Sequence, residues 1–547
     1  MCRMAKKDPA EIHQRSLFDL WPWLGVILVL LLVGYVRYRL LDMPLERDEG
    51  EYAYAGQLIL QGIPPYDLAW NMKLPGTYFA YALGMLRFGQ TAAGVHSTLM
   101  VVNSFTIIFV FLLARRLFGN IAGVMACATF GILSVSPAVL GMAAHANHFV
   151  ILFAVMATLL LWRAEEFYRW YVSFFSGLFF GLAFLMKQQG ICFCLFAFVF
   201  VIGNALINKK IFTTIFLRKI CFLLLGMVLP LFLVCRYLQM AGVFPKFWFW
   251  TWTYASAYAT QVNLHDGIAK FLGYAGKKWS LYFAFLGLIA VSLPFVFRNH
   301  ARRGQIVFAA TFLFFSILGT AIDLNFREHY FILLLPALGL FVGLAVISLQ
   351  YATANNFFKI LPPLACVLIL GFCIYQQRQF FFQLPATAVS QIVYSGDVPF
   401  TDMPAVGDYI RTNSMTSATV AVVGSEPEIY FYAQRHSATG YVYTYPLMEQ
   451  QPFAAQMQHE MISQIETNKP EFLVFVANPD SWNVRSNSDR EIFKWLGQYS
   501  ISNYDKGALV DQISWDKTAF VQGNSLKNYR LRGTNYVAVF RRKSSGH

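Results

Sequence analysis

Apolar residues run almost unbroken for stretches of about twenty over the first two thirds of the chain, and give way after Gln377 to short apolar runs set among polar ones. The first run, Leu17 to about Leu41, is long enough to cross the roughly 30 Å hydrocarbon core of a bilayer as a helix. Further runs lie near 93–114, 120–140, 147–163, 171–187, 189–207, 219–240, 280–297, 305–322, 331–349 and 359–376. Between the first two lie two stretches too short to span. One begins at Asp48, with Tyr52, Ala55 and Ile59 on one face, and the other runs from Leu74 to Phe88. They are expected to lie in the interface plane. In the polar part, Ala418–Gly424, Thr439–Tyr445, Phe472–Val476 and Tyr536–Phe540 read as strands, and Glu426–Gln434 as a helix. The pattern predicts a polytopic α-helical membrane protein of about eleven transmembrane helices plus interfacial helices, with a small α/β C-terminal domain. Its parts are an N-terminal segment 1–16, a membrane domain 17–376 whose first outer loop is 42–92, and an outer domain 377–547.

Composition agrees with the pattern. The chain is 57% hydrophobic and only 13% charged, about half the charged share of a soluble domain. A net charge of +14 can mean nucleic acid, but these Lys and Arg residues are scattered among apolar runs, so no nucleic-acid partner is implied. They fit the positive-inside rule. With the N-terminus inside, the cytoplasmic turns hold Arg115-Arg116, Arg163, Arg169, Lys209-Lys210, Arg218-Lys219, Arg298 and Arg302-Arg303, and the opposite turns are poorer in basic residues. That parity takes Lys187-Gln188-Gln189-Gly190 as a tight outward turn and places everything after residue 377 outside. The N-terminus has no small-residue cleavage site, so the first run is expected to be kept as a helix. No cysteine lies after Cys373, so disulfides are not expected to hold the outer domain.

The chemistry gathers in the outward turns. Arg47-Asp48-Glu49-Gly50-Glu51-Tyr52 follows the first span directly, where each charge needs a reason. Asp48 with Glu51 three residues on fits a helix capping box, which leaves Glu49 and Arg47 over. Lys73 follows a Pro-Pro turn, and read by itself is a lysine reaching from lipid to the headgroups. His145 and His148 are expected on one helix face, more as polar contacts than as a metal pair. Phe244 to Tyr258 is the most aromatic stretch, an interfacial belt by default or the lining of a groove for a lipid chain. Asp323 to Tyr330 reads either as an internal ion-pair cluster or as an anion clamp built on Arg327. The outer domain has no phosphate loop and no nucleophile elbow.

The order Arg-Asp-Glu-Gly-x-Tyr-Ala-Tyr from Arg47, Gly62 to Tyr66, Lys73-Leu74-Pro75-Gly76, and Arg327-x-His329-Tyr330-Phe331 with Pro336 resembles the bacterial branch of the protein O-mannosyltransferase superfamily, which includes the lipid A aminoarabinose transferases. Gly424-Ser425-Glu426-Pro427-Glu428-Ile429-Tyr430 is similar to a segment of the outer domain in many such proteins. The resemblance implies the C-type glycosyltransferase (GT-C) fold, a polyprenyl-phosphate-linked sugar donor and a lipid, glycan or protein acceptor. It also implies chemistry on the outer face of a bacterial cytoplasmic membrane. It makes Asp48 the candidate catalytic residue and has Lys73 and Arg327 touch the donor phosphate, with Glu49, Glu51, Tyr52, His145, His148, His329 and Tyr330 as further pocket candidates. Such a donor carries an activated leaving group, so the reaction needs a base and cations, and no cofactor. No metal site is assigned, although Glu49, Glu51, His145 and His148 leave a divalent cation open. One carboxylate acting opposite the phosphate predicts inversion at the anomeric carbon. A polytopic transporter or lipid-linked glycan flippase is the alternative, and would place its charges near the midplane.

Overall fold

The computed structural model of the chain describes residues 20–167, 169–259, 261–278, 282–394 and 398–543. The segment 1–16 lies outside the described residues. All eleven apolar runs are helical. They form α1 (Trp21–Arg39), then, beyond the two short helices α2 (Arg47–Leu60) and α3 (Gly76–Phe88), α4 (Ala92–Phe118), α5 (Asn120–Leu133), α6 (Ala146–Phe167), α7 (Trp170–Met186), α8 (Ile191–Ile207) and α9 (Thr214–Met240). The short helices α10 (Phe244–Trp248), α11 (Ala255–Ala259) and α12 (Leu264–Lys278) lead to α13 (Phe283–Arg298), α14 (Arg303–Ala321), α15 (Leu335–Ala352) and α16 (Leu361–Gln376). Eight of the described helices are long and apolar enough to cross a membrane, while α5, α7 and α13 are shorter. The chain is a multi-pass membrane protein.

The connections alternate between two ends of this bundle. At one end the basic turns meet: Lys219 pairs with Glu165 at 2.9 Å, and Arg302 donates to the Phe118 carbonyl at 3.1 Å and the Tyr351 hydroxyl at 3.2 Å. At the other end the first loop is tied to the 187–190 turn. The Thr77 hydroxyl donates to the Met186 carbonyl at 2.8 Å, and the Gln188 amide donates to the Met72 carbonyl at 2.6 Å. A short 3-10 turn, Gln188–Gly190, separates α7 from α8 there.

Over that second end sits the C-terminal domain, a six-stranded mixed sheet in the order β2-β1-β3-β6-β4-β5. Its strands are β1 (Thr419–Val423), β2 (His436–Ser437), β3 (Phe472–Ala477), β4 (Tyr504–Ser514), β5 (Lys517–Gln522) and β6 (Asn535–Arg542). β1 is parallel to both its neighbours, and the remaining pairs are antiparallel. The helix expected at Glu426–Gln434 is Glu428–Ala433, closed by Gln434 in the left-handed region at φ 51°. The strand expected at Thr439–Tyr445 is instead a loop. Its apolar alternation is used to pack onto the first loop, where Trp70 N–H donates to the Gly440 carbonyl at 2.7 Å. A Cβ on Gly440 would lie 2.1 Å from the Trp70 ring, so the two chains meet as closely as a glycine allows.

Candidate active site

The site begins with the start of α2. Glu46 is its N-cap, accepting from Glu49 N–H at 3.0 Å, and Glu49 accepts from Glu46 N–H at 3.2 Å in return. The capping box therefore stands two residues earlier than Asp48 and Glu51, and frees both from local duty. Glu49 points inward, fully buried, accepting from the Ala144 N–H at 2.5 Å and bonding His96 Nε2 at 3.0 Å. It is a structural strut behind the site and does not line it.

Asp48, Glu51 and Tyr52, at spacings of three and four, share one face of α2. Lys73 answers that face. Its Nζ lies 2.7 Å from Asp48 Oδ1 and 2.6 Å from Glu51 Oε2, with the Tyr52 ring centre at 4.6 Å. Glu51 also accepts from Tyr78 OH at 2.5 Å and Asn71 Nδ2 at 2.8 Å, and is 1% exposed. It anchors Lys73 from behind without reaching the open space. Burial works to raise the Asp48 pKa, but Lys73, with His329 and His145 nearby, outweighs it and holds the carboxyl well below its ordinary value. Burial works to depress Lys73, and Asp48 with Glu51 keeps it well above the ordinary lysine value.

A cavity of about 1430 Å³ opens over Asp48 and Lys73, between the ends of the helices and the outer domain. Tyr52, His145, Arg327, His329 and Tyr330 line it, as does Lys187. The loop before α15 brings Arg327 in. Among the described residues Arg327 makes no ion pair with Asp323, Glu328 or any other carboxylate, so the internal cluster expected as one reading does not form. Lys187 was legible only as a topology marker, yet it reaches the same space, donating to Asn147 Oδ1 at 3.1 Å with the Tyr330 ring centre 4.3 Å away. Burial, and then the charges of Lys73 and Arg327, outweighs the attraction of Asp48 and Asp323 and pulls its pKa down to about 7. The sequence signal for it was a lysine at a break between two apolar runs.

The two histidines of the 145–148 turn do not share a face toward the cavity. His145 stacks on His329 at 4.1 Å and 14° between planes, while His148 is buried and lines no part of the cavity. Ligand atoms of Asp48, His145 and His329 lie within 4.8 Å of one another and are able to hold a cation. Neither Glu49, Glu51 nor His148 contributes to that group. The aromatic stretch has some rings at the surface and others in the cavity wall. Trp248 and Trp252 are exposed, and Trp252, Tyr254 and Tyr258 line the cavity from a π-helix (Phe249–Tyr254) and α11.

The C-terminal domain supplies the far wall. Tyr443 OH donates to Asp48 Oδ1 at 2.7 Å. Arg47 leaves the membrane part and inserts into the domain, donating to the Ser425 carbonyl, to Tyr445 OH and, at 2.8 Å, to Glu426 Oε1. These contacts carried no local pattern, because their partners lie nearly 400 positions apart in sequence.

This architecture, a helical membrane bundle roofed at one end by a small mixed sheet, is the C-type glycosyltransferase fold of the solved structures it resembles. Solved relatives share it. ArnT from Cupriavidus metallidurans bound to undecaprenyl phosphate matches with a TM-score of 0.58 and 13% identity, over 96% of this chain and 98% of the other. The archaeal oligosaccharyltransferase AglB from Archaeoglobus fulgidus, in complex with an inhibitory peptide and a dolichol-phosphate, matches at 0.51 and 12% identity over 94% and 76%. The arabinofuranosyltransferase AftD from Mycobacteria matches at 0.51 and 12% over 97% and 40%. At these identities the likeness is one of fold. More specifically, residues 73–265 match the model of a family described as dolichyl-phosphate-mannose-protein mannosyltransferase, in agreement with the resemblance read from the motifs. No curated protein matches the chain by sequence at a significant level.

Proposed function

We propose that the chain is a membrane glycosyltransferase that moves a sugar from a polyprenyl-phosphate donor to a lipid, glycan or protein acceptor, with inversion, on the outer face of a bacterial cytoplasmic membrane. The observation that carries the reading is the charge arrangement of the cavity. Asp48 and Lys73 are paired at 2.7 Å, and two further cations, Arg327 and Lys187, face the same space without a carboxylate partner among the described residues. Unpaired cations around a space of about 1430 Å³ call for an anionic ligand. The solved relatives support a lipid phosphate in that role, since ArnT is bound to undecaprenyl phosphate and AglB to a dolichol-phosphate. The matched family model, whose description is a dolichyl-phosphate-mannose transferase, points the same way.

In this reading the phosphate gains charge as the sugar leaves, from about −1 toward −1.5 to −2. Arg327, Lys187 and Lys73 then bind the product phosphate more strongly than the donor, which is stabilisation spent on the transition state. Asp48 takes the acceptor's proton. While Lys73 lies on Asp48 the carboxylate is a weak base, and a phosphate that draws Lys73 toward itself strengthens it. Catalysis is thereby coupled to donor binding. Placement of these charges at one end of the bundle favours an enzyme over a transporter with a midplane site. The distribution of basic turns at the opposite end supports the outward orientation.

The group Asp48, His145 and His329 is chemically suited to a divalent cation, but the reaction as written does not need one, because the leaving group is already activated and three side-chain cations are present. Transfer by protein stripped with a chelator is expected to equal that of untreated protein, and loss of transfer with recovery on adding a divalent metal would reverse this.

The testing experiment offers purified wild type, Asp48→Asn and Lys73→Ala a panel of radiolabelled polyprenyl-monophosphate sugars with a membrane-lipid extract. Transfer by wild type that Asp48→Asn abolishes while donor still binds supports the reading. Neither transfer nor donor binding across the panel would shift it to a transporter or flippase.

A further inference from the structure

We infer that the outer domain is a working part of the active site, in which the Tyr443 hydroxyl positions Asp48 so that Oδ2 is the oxygen that receives the acceptor's proton. The inference rests on the glycosyl-transfer reading above and deepens it by giving the outer domain a role.

Three observations lead to it. The first is how the domain is attached. β1 lies between β2 and β3 and is parallel to both, so the chain leaves β1 to one side and returns on the other. In an α/β sheet the crevice at the carboxyl ends of two such strands is where ligands bind. Here that crevice, between Ser425-Glu426 after β1 and Ser481 after β3, receives Arg47 of the catalytic helix. Arg47 donates to the Ser425 carbonyl and Glu426, and Ser481 holds Glu426 and the Ser425 N–H. A domain free to recruit acceptors by itself would keep its crevice open, whereas this one is filled by the residue next to Asp48.

The second is the length of the seam. Along α2, Tyr54 OH accepts from Ser437 N–H at 2.7 Å and its ring stacks on Tyr430 at 5.0 Å. Gln57 Nε2 donates to the Phe431 carbonyl at 3.3 Å. Gly50 lies against the Glu428 backbone so closely that a Cβ would be 2.6 Å from its nitrogen. The helix carrying Asp48 is thus held on one side by the membrane part and on the other by the domain.

The third is the state of the two Asp48 oxygens. Oδ1 accepts from both Lys73 and Tyr443, each at 2.7 Å. Among the described residues Oδ2 accepts no hydrogen bond; His145 Nδ1 stands 3.9 Å from it, and His329, stacked on His145, also has a ring nitrogen within 4.8 Å of the carboxylate. Two donors on one oxygen stop rotation of the carboxylate and leave the lone pairs of the other for a proton. In the reaction the acceptor oxygen bonds the anomeric carbon as its proton passes to Oδ2. The bond from that carbon to the phosphate oxygen breaks, and its electron pair leaves on the phosphate. Lys73 is drawn toward the phosphate at that moment, so Tyr443 is the donor that keeps Oδ1 in place throughout.

The test uses the full chain. Tyr443→Phe keeps the ring that shelters Lys73 and removes only the hydroxyl. With any donor the wild type uses, kcat is expected to fall about ten-fold or more while donor KM changes by less than about two-fold, and Tyr443→Phe is expected to cost nothing further in an Asp48→Asn background. A second arm needs no sugar: apparent thermal midpoints of Tyr443→Phe, Asp48→Ala and the double variant. Loss of one shared bond predicts a double variant that melts no lower than Asp48→Ala. Additive thermal losses together with an unchanged kcat would overturn the inference. Coupled midpoints in a protein whose wild type transfers no sugar would keep the contact and remove the reaction, so the two failures are distinct.

Discussion

Asp48 and Lys73 neutralise one another in a place where either by itself would be costly, and the residue-scale predictions follow from which of the cavity's charges is spare. Asp48→Asn keeps the shape and removes the base, so transfer should drop by about 10²–10⁴ with donor binding retained, read by single-turnover transfer and by donor titration. Among the described residues Lys187 is the cavity cation set to titrate near neutrality. Its pKa is pulled down to about 7 by burial, and a bound phosphate raises it. Below pH 7 the amine is already charged, and donor binding should not vary with pH. Above pH 7 binding must take up a proton, so donor affinity should fall by up to about ten-fold per pH unit. A phosphodiester donor keeps constant charge over this range, so the slope belongs to the protein, and Lys187→Arg should flatten it. A flat profile in the wild type would show that Lys187 does not meet the phosphate.

At the scale of elements, α2 carries more than its fourteen residues suggest. Its first turn is fixed by the Glu46–Glu49 box, its middle face carries Asp48, Glu51 and Tyr52, and its far side is the seam with the outer domain. Arg47 and Glu426 form an ion pair that is 11% and 0% exposed. Removing one partner leaves the other charged and buried, so Glu426→Ala should cost about 3–5 kcal/mol, measured as a fall in apparent thermal midpoint. Gly50→Val forces a branched side chain onto the Glu428 backbone and should destabilise by about 1–3 kcal/mol. Because the strain lies at the seam, it should also lower transfer without touching the cavity. The capping box was misplaced in the sequence reading for a simple reason: Glu46 and Asp48 both have an acidic residue three positions on, and only backbone geometry chooses between them.

The whole molecule places its basic turns at one end and its cavity and outer domain at the other. A single cysteine in the exposed turn after Trp482, such as Ser486→Cys, should therefore react with a membrane-impermeant maleimide in intact cells. A cysteine replacing Lys210, in the turn before α9, should react only after permeabilisation. The reverse pattern would invert the topology. The C-terminal domain is also where local patterns were least able to see. Lys517–Gln522 is short, with only Ala519, Phe520 and Val521 apolar, and becomes a strand because β4 lies beside it. Thr439–Tyr445 alternates like a strand, and is a loop because its partner is Trp70 of the first loop rather than a neighbour in the sheet.

By itself the sequence determined the membrane class, the helical identity of the eleven apolar runs and the end at which charge collects, because an unbroken apolar run of about twenty residues satisfies its backbone in hydrocarbon as a helix, and charge is costly except at the ends of such helices. Its motif order around Asp48, Lys73 and Arg327 also pointed to the fold, through the resemblance to a known family. Tertiary structure alone decided which charges are free. Glu49 and Glu51 are as acidic as Asp48 in the sequence, but one is spent on His96 and the other on holding Lys73. Lys187, Arg47 and Tyr443 join the site across 139, 1 and 395 positions from Asp48 respectively, and the ordering of side chains around a cavity follows from packing in space, which local periodicity does not encode.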